Sequence, residues 1–125
     1  MNIWLGQRHP PQFPQGAAVT IGNFDGVHLG HKHILQKLKR EADRRGLPVV
    51  VVIFEPQPKE FFARKAGKKL PYRISPLRTK LRLLRETGCV DAVWVLCFNQ
   101  AFSNMSAQAF IDQLLRQTLN TRYLL

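Results

Sequence analysis

The stretch Ala17-Ala18-Val19-Thr20-Ile21-Gly22-Asn23-Phe24-Asp25-Gly26-Val27-His28-Leu29-Gly30-His31 runs from an apolar segment through a glycine-punctuated loop into a helical pattern. Ala17 to Ile21 is short, apolar and stopped by Gly22, which is how a buried strand reads. From Leu29 to Arg45 the period changes. Ile34, Leu35, Leu38 and Ala42 fall on one helical face, with Lys37, Lys39, Arg40 and Arg44 largely on the other. Gly46 stands where a helix ends on a left-handed residue. Pro48 then introduces Val49-Val50-Val51-Val52-Ile53-Phe54, apolar on both faces, as strands of a parallel sheet covered on two sides are.

The same alternation continues outward. Glu55 to Tyr72 holds Pro56, Pro58 and Pro71 around Phe61, Phe62 and a basic patch, and reads as loop with room for a helical turn. Ser75-Pro76 is a helix start, a capping residue followed by proline, with Leu77, Leu81 and Leu84 on one face and Gly88 as the stop. Asp91 to Phe98 is a further apolar strand. Ser106 caps a helix whose buried face is Phe110, Ile111, Leu114 and Leu115, and Arg122 to Leu125 begins another strand. Met1 to Gln15 carries three of the eight prolines and little periodicity, so it reads as irregular. Strand and helix alternating in this way predict an α/β domain over residues 1–125 with a mostly parallel, doubly wound sheet.

The 125 residues include 19 Lys and Arg against 8 Asp and Glu, a formal net charge of +11, with 45% hydrophobic residues. That is globular composition, and no run approaches the roughly 18 apolar residues a bilayer span requires. Cys89 and Cys97 form neither a disulfide framework nor a CxxC pair, and Met1 to Arg8 lacks a secretory signal, so a reduced, cytoplasmic setting is expected. A basic chain favours anionic partners, although cations spaced in ones and twos also suit solvated helix faces. A basic nucleic-acid-binding module is the alternative to an enzyme. Against it, there is no zinc-finger spacing and no aromatic RNA-binding motif, so neither nucleic acid nor a membrane is expected as partner. Oligomeric state is not legible.

The chemistry concentrates in Gly22 to His31. This loop leaves the C-terminal end of the first strand of the alternation, where open α/β sheets bind ligands. Gly22 and Gly26 permit tight turns and close backbone approach. The helix start offers unpaired N–H donors and the positive end of its dipole. His28 and His31, three apart, share the first turn, and Gly30 leaves room between them. Two imidazoles there suit a phosphoryl group that gains charge in its transition state. Plainer readings are a capping or surface histidine, or half of a metal site. No second Cys, His or Asp cluster completes four ligands, so no metal site is assigned.

His28-Leu29-Gly30-His31 resembles the His-x-Gly-His signature of the adenylyl- and cytidylyltransferase superfamily. The longer stretch Ile21 to His31 resembles that of the bacterial bifunctional riboflavin kinase/FAD synthetases. Phe54-Glu55-Pro56-Gln57-Pro58 with Phe61-Phe62, Lys80 to Asp91 and Phe98 to Leu115 support the narrower likeness. The resemblance implies a Rossmann-like nucleotidyltransferase fold and transfer of AMP from ATP to FMN, giving FAD and pyrophosphate with Mg²⁺. Gly22, Asn23, Phe24, Asp25, His28, Gly30 and His31 would then line the ATP site, with His28 and His31 catalytic. Pro56, Gln57, Pro58 and Phe62 would form the flavin edge, though many relatives have His where Gln57 stands. Phe61 and Phe62 serve equally well as a plug under a long loop. Mg²⁺ would arrive on the ATP phosphates. The same His-x-Gly-His also occurs in transferases that act on pantetheine phosphate or nicotinate mononucleotide.

The family pattern continues into a Gly-x-Asp-Phe-x-Phe-Gly segment, a Ser-Ser-Thr-x-x-Arg segment and a riboflavin kinase domain, none of them within these 125 residues. The expectation is therefore a partial adenylyltransferase domain, its C-terminal part missing, with weak or no activity in this short form.

Overall fold

The computed structural model describes residues 1–69 and 76–125. Five strands form one sheet: β1 (Asn2–Leu5), β2 (Ala17–Ile21), β3 (Val49–Phe54), β4 (Ala92–Leu96) and β5 (Thr121–Leu124). Their order is β1-β4-β3-β2-β5 and every pairing is parallel. From β2 the chain steps outward to β3 and β4, then returns across the sheet to β5 on the other side of β2. The C-terminal end of β2 is thus the point where the winding reverses, the place such sheets bind ligands.

Helices cover both faces, and the pleat decides which residue meets which. Val50 and Val52 join Ala17, Val19, Ala92, Trp94, Leu115 and Leu119 on one face. Val51, Ile53, Val93 and Val95 meet Leu35, Leu84, Phe24 and Val27 on the other, where Val49 and Ala18 also meet Leu38 and Ala42. All of Val49 to Ile53 is buried, each side chain adding about 1.5–3 kcal/mol of apolar burial. The starts of β3 and β4 are tied by Asp91, whose carboxylate accepts from the Val49 N–H at 2.7 Å.

Helix α1 (Leu29–Arg45) buries Leu35, Leu38 and Ala42, and Gly46 closes it at φ 67° with the Leu47 N–H donating back to the Ala42 carbonyl. Ile34, expected on the buried face, is 41% exposed, at the margin of the stripe. On the outer face Lys39 pairs with Asp43, and Arg44 and Arg45 pair with Glu41, so several of the cations form surface pairs.

Two expectations are corrected. Residues 58–65, read as loop, form the helix α2 (Pro58–Lys65). Pro58 is its first residue, where the missing N–H costs nothing, and the Gln57 N–H donates to the Glu60 carboxylate at 2.9 Å. The N-terminal segment, read as irregular, contributes β1 at the sheet edge. Beyond it the Gly6 carbonyl accepts from the Trp94 indole at 2.8 Å, and the Gln7 amide both donates to and accepts from the Cys97 backbone.

Helix α3 (Leu77–Glu86) buries Leu84 and, unanticipated, Lys80; the cap assigned to Ser75 lies outside the described residues. A short α4 (Gln100–Ser103) precedes α5 (Ala107–Phe110), which Ser106 caps by accepting from the Ala109 N–H. The helix continues from Ile111 to Thr118 in wider π turns, with the Leu119 N–H reaching the Leu114 carbonyl. On this helix Leu115 is buried, Phe110 and Leu114 are partly so, and Ile111 is 39% exposed.

Candidate active site

The loop after β2 is held in an uncommon backbone shape. Phe24 (φ 51°, ψ 35°) and Val27 (φ 42°) are left-handed, and Gly26 between them has φ 77°. Such angles in a phenylalanine and a β-branched valine persist only where the surroundings over-determine them. Both side chains are buried in the cluster with Leu35, Leu84 and Val95, which supplies the compensation. The anchored ring of Phe24 also explains Gly22, since a Cβ there would lie 2.8 Å from Phe24 Cε2.

Locked in this way, the loop delivers the histidines to the start of α1. His28 is the capping residue, its Nδ1 accepting from the Gly30 N–H at 3.1 Å. A neutral His28 therefore carries its proton on Nε2, leaving that nitrogen a donor. Its ring stacks on His31 with centroids 3.8 Å apart and planes 23° apart, and His31 in turn lies 4.8 Å from Phe24. Gly30 permits the stack, because a Cβ there would sit 3.0 Å from His28 Cε1. His31 Nδ1 is buried without a hydrogen-bond partner in the protein. Burial first, then His28 and Lys80, push the pKa of His31 below the ordinary imidazole value, with Asp25 opposing.

On the other face of the sheet an aromatic cavity of about 530 Å³ opens at the same strand ends. Ile21 and Phe54, the last residues of β2 and β3, line it with Phe62, Phe98, Phe102 and Phe110. The rings interlock edge to face: Phe54–Phe98 at 5.5 Å, Phe54–Phe102 at 5.7 Å and Phe62–Phe98 at 5.7 Å. An apolar slot of this size accepts a flat aromatic ligand. A more polar cavity, lined by Asp112, Arg116, Asn120 and Arg122, lies at the start of β5, at the opposite end of the sheet from the histidines.

The structure brings Gly22, Phe24, Asp25, His28, Gly30 and His31 together around one turn, and leaves Asn23 exposed beside it. Of the flavin candidates, Phe62 reaches the cavity wall, while Pro56, Gln57 and Pro58 do not line it. Gln57, 6% exposed, instead caps the start of α2. The residues that sequence reasoning missed here are Phe98 and Phe102. A signal was present for the rings, since six of the eight phenylalanines join one network of ring contacts at this end. Among the described residues no three His, Cys, Asp or Glu side chains converge as a metal cage, and no helix is long and apolar enough to cross a membrane.

Comparison with known proteins bears on this arrangement directly. A bifunctional riboflavin kinase/FMN adenylyltransferase of Escherichia coli is 46% identical over 125 residues, covering 99% of this chain and 39% of that protein. Its counterpart in Haemophilus influenzae is 42% identical over the same shares, and that of Pseudomonas fluorescens 43% identical over 88% of this chain and 34% of its own. The chain thus spans about two-fifths of the length of the curated relatives it matches. A crystal structure described as a macrolide-efflux protein from Streptococcus pneumoniae superposes with a TM-score of 0.80 over 99% of this chain and 41% of its own. At 24% identity that likeness shows the fold alone. The family model for FAD synthetase matches residues 10–125, taking in the histidine loop and every aromatic of the cavity, and the chain belongs to the FAD synthetase family.

Proposed function

We propose that residues 1–125 form part of an FMN adenylyltransferase unit whose site transfers AMP from MgATP to FMN. The carrying observation is the shared strand end. Ile21 lines the aromatic cavity, and the next residue, Gly22, begins the histidine loop. A flat ring in the cavity and a triphosphate at the start of α1 would therefore meet at the end of β2. The acceptor phosphate is itself the nucleophile: one of its oxygens attacks the α-phosphorus, the bond from that phosphorus to the bridging oxygen breaks, and pyrophosphate leaves. The protein then has to position and to stabilise charge. The Nε2–H of His28 and the unpaired N–H groups of α1 are suited to the negative charge that grows on the phosphoryl oxygens. Mg²⁺ belongs to the substrate here, held by phosphate oxygens.

The same reading assigns small nucleotides rather than nucleic acid as partners, and a cytoplasmic setting where ATP and FMN are available. A flavin fits the Phe-lined cavity better than the smaller or more polar acceptors of other His-x-Gly-His transferases. The deciding experiment is a set of thermal melts of the chain with MgATP, FMN or both, alongside His31→Ala, together with chromatography for FAD. Stabilisation by MgATP that is lost in His31→Ala, with a separate response to FMN, is expected. A cooperative melt that neither ligand moves would overturn the proposal.

A further inference from the structure

Strand β1 closes one edge of the sheet, and among the described residues no strand pairs with its outer side. The N–H groups of Asn2 and Gly6 donate inward, to the carbonyls of Asp91 and Val95 on the β4 side, at 2.9 and 2.7 Å. Strand residues alternate, so the N–H and C=O groups of Ile3 and Leu5 point out from the open edge. Their side chains lie on the face that α3 covers and are 38% and 68% exposed. With Leu77 and Leu81 of α3 they floor a cavity of about 560 Å³. Its cationic wall is Arg78, Arg82 and Arg85, exposed and spaced four and three residues apart on one stripe of α3. Among the described residues no carboxylate lines it. An apolar floor, three arginines and outward backbone groups thus meet at the β1 edge, with β4 and β3 between them and the strand that ends at the histidine loop.

We propose that this edge is a docking site for an extended, acidic peptide segment of another protein, which adds to the sheet as a strand beside β1. Its backbone pairs with the outward groups of Ile3 and Leu5. Side chains two apart on such a segment face α3 together. On that face an apolar side chain settles over Leu5 and Leu81, and a carboxylate meets the arginines in charge-assisted hydrogen bonds. Charge selects this occupant over a second copy. The chain carries +11, and a copy paired edge to edge would set its own three arginines against these. The open strand edge selects it over an anionic lipid surface, which would neutralise the arginines but offers the outward N–H and C=O groups no ordered partners. Only four residues form β1, so the paired stretch is about 13 Å long. That is the scale of a transient contact, burying less than about 1,200 Å². The proposal stands apart from the adenylyl-transfer reading.

The probe is a display library of random peptides of about ten residues, selected on the whole chain and then resynthesised singly. Selected peptides should carry an apolar and an acidic residue two or four positions apart, and their affinity should fall as salt rises. In hydrogen–deuterium exchange followed by NMR, peptide binding should slow the Ile3 and Leu5 amides and leave that of Trp4, turned toward β4, little changed. Affinity should fall about tenfold in Arg82→Glu/Arg85→Glu, and by a similar factor in Leu5→Ser. The three substituted side chains are exposed, so both variants should melt as the wild type does. A library that enriches no peptide overturns the proposal. So does binding that persists in the arginine variant, or that leaves exchange at Ile3 and Leu5 unchanged. The rival occupants are checked with the same variants. Retention on phosphatidylglycerol vesicles that the arginine variant loses, with no peptide selected, would assign the edge to a lipid surface. Concentration-dependent self-association that Leu5→Ser abolishes would assign it to a second copy. Either result overturns the peptide site.

Discussion

The imidazole of His28 lies on that of His31, with centroids 3.8 Å apart and planes 23° from parallel, while its own Nδ1 accepts from the Gly30 backbone. One ring is thus fixed by the helix cap and the second by the first. The two histidines are not interchangeable. His28 carries the helix start, and His31 the unpartnered Nδ1.

On the adenylyl-transfer reading, replacing His31 by Ala removes a donor to the phosphoryl group and leaves the His28 cap intact. Steady-state FAD formation should fall by roughly 10²–10³, the usual cost of one such donor, with the melting temperature nearly unchanged. His28→Ala should lower activity comparably and also weaken α1 by about 1 kcal/mol through loss of its cap. Melts and rates measured on the same preparations check both. Equal melting temperatures for the two variants would contradict the division of roles.

The depressed pKa of His31 makes stability depend on pH in a definite direction. The folded protein resists protonating this ring more than the unfolded chain does, so between the folded midpoint and about 6.5 the unfolded state binds more protons. Stability is then full above about pH 6.5 and declines as pH falls through that window. Melts of wild type and His31→Gln at pH 5, 6, 7 and 8 should show a shallower acid loss in the variant. Parallel curves would mean that His31 is no more reluctant to protonate in the folded chain.

Gly30→Ala sets two effects against each other. Alanine near the helix start favours α1 by about 0.5–1 kcal/mol in backbone entropy. Its Cβ, however, would stand 3.0 Å from His28 Cε1 and 3.3 Å from Nδ1, so the His28 ring must shift by a few tenths of an ångström and the cap bond to the Gly30 N–H is weakened. The opposed terms are similar in size, and the melting temperature should shift by only a few degrees. Nucleotide binding has no such compensation, because the stacked pair itself is displaced. Calorimetry should find MgATP affinity down about tenfold, near 1.4 kcal/mol.

What the sequence discloses about this molecule follows from where the determining interactions lie. Val49–Phe54, α1 and the loop between Gly22 and His31 are set by contiguous pattern, and the structure has them where periodicity and glycine spacing put them. Strand β1 is different: Asn-Ile-Trp-Leu has no periodicity of its own and is a strand because β4 pairs with it. Helix α2 was hidden by Pro56 and Pro58, which as a pair read as breakers, although Pro58 occupies the one helical position that proline favours. Lys80 reads as a surface cation between Leu77 and Leu84, and its burial is a product of tertiary packing that no single stretch of sequence encodes. The phenylalanines gather from four separate segments, so their meeting is a property of the sheet order and not of any one stretch.

The aromatic cavity distinguishes binding from scaffolding by exposure. Phe62 is half exposed on α2 and meets its neighbours mainly through Phe61 and Phe98. Phe98 makes ring contacts with Phe54, Phe61, Phe62 and Phe102, which makes it the hub. Phe62→Ala therefore removes wall from the slot while deleting little buried area, and should cost under about 1 kcal/mol of stability. Phe98→Ala opens a hole under four rings and should cost about 2–3 kcal/mol, below the figure for a fully buried phenylalanine because Phe98 is only partly buried. If the slot receives the isoalloxazine ring, quenching of FMN fluorescence should weaken about tenfold or more in Phe62→Ala, with MgATP binding unaffected. Loss of both ligands together in Phe62→Ala would mean that this ring supports the site as a whole and does not form the flavin wall.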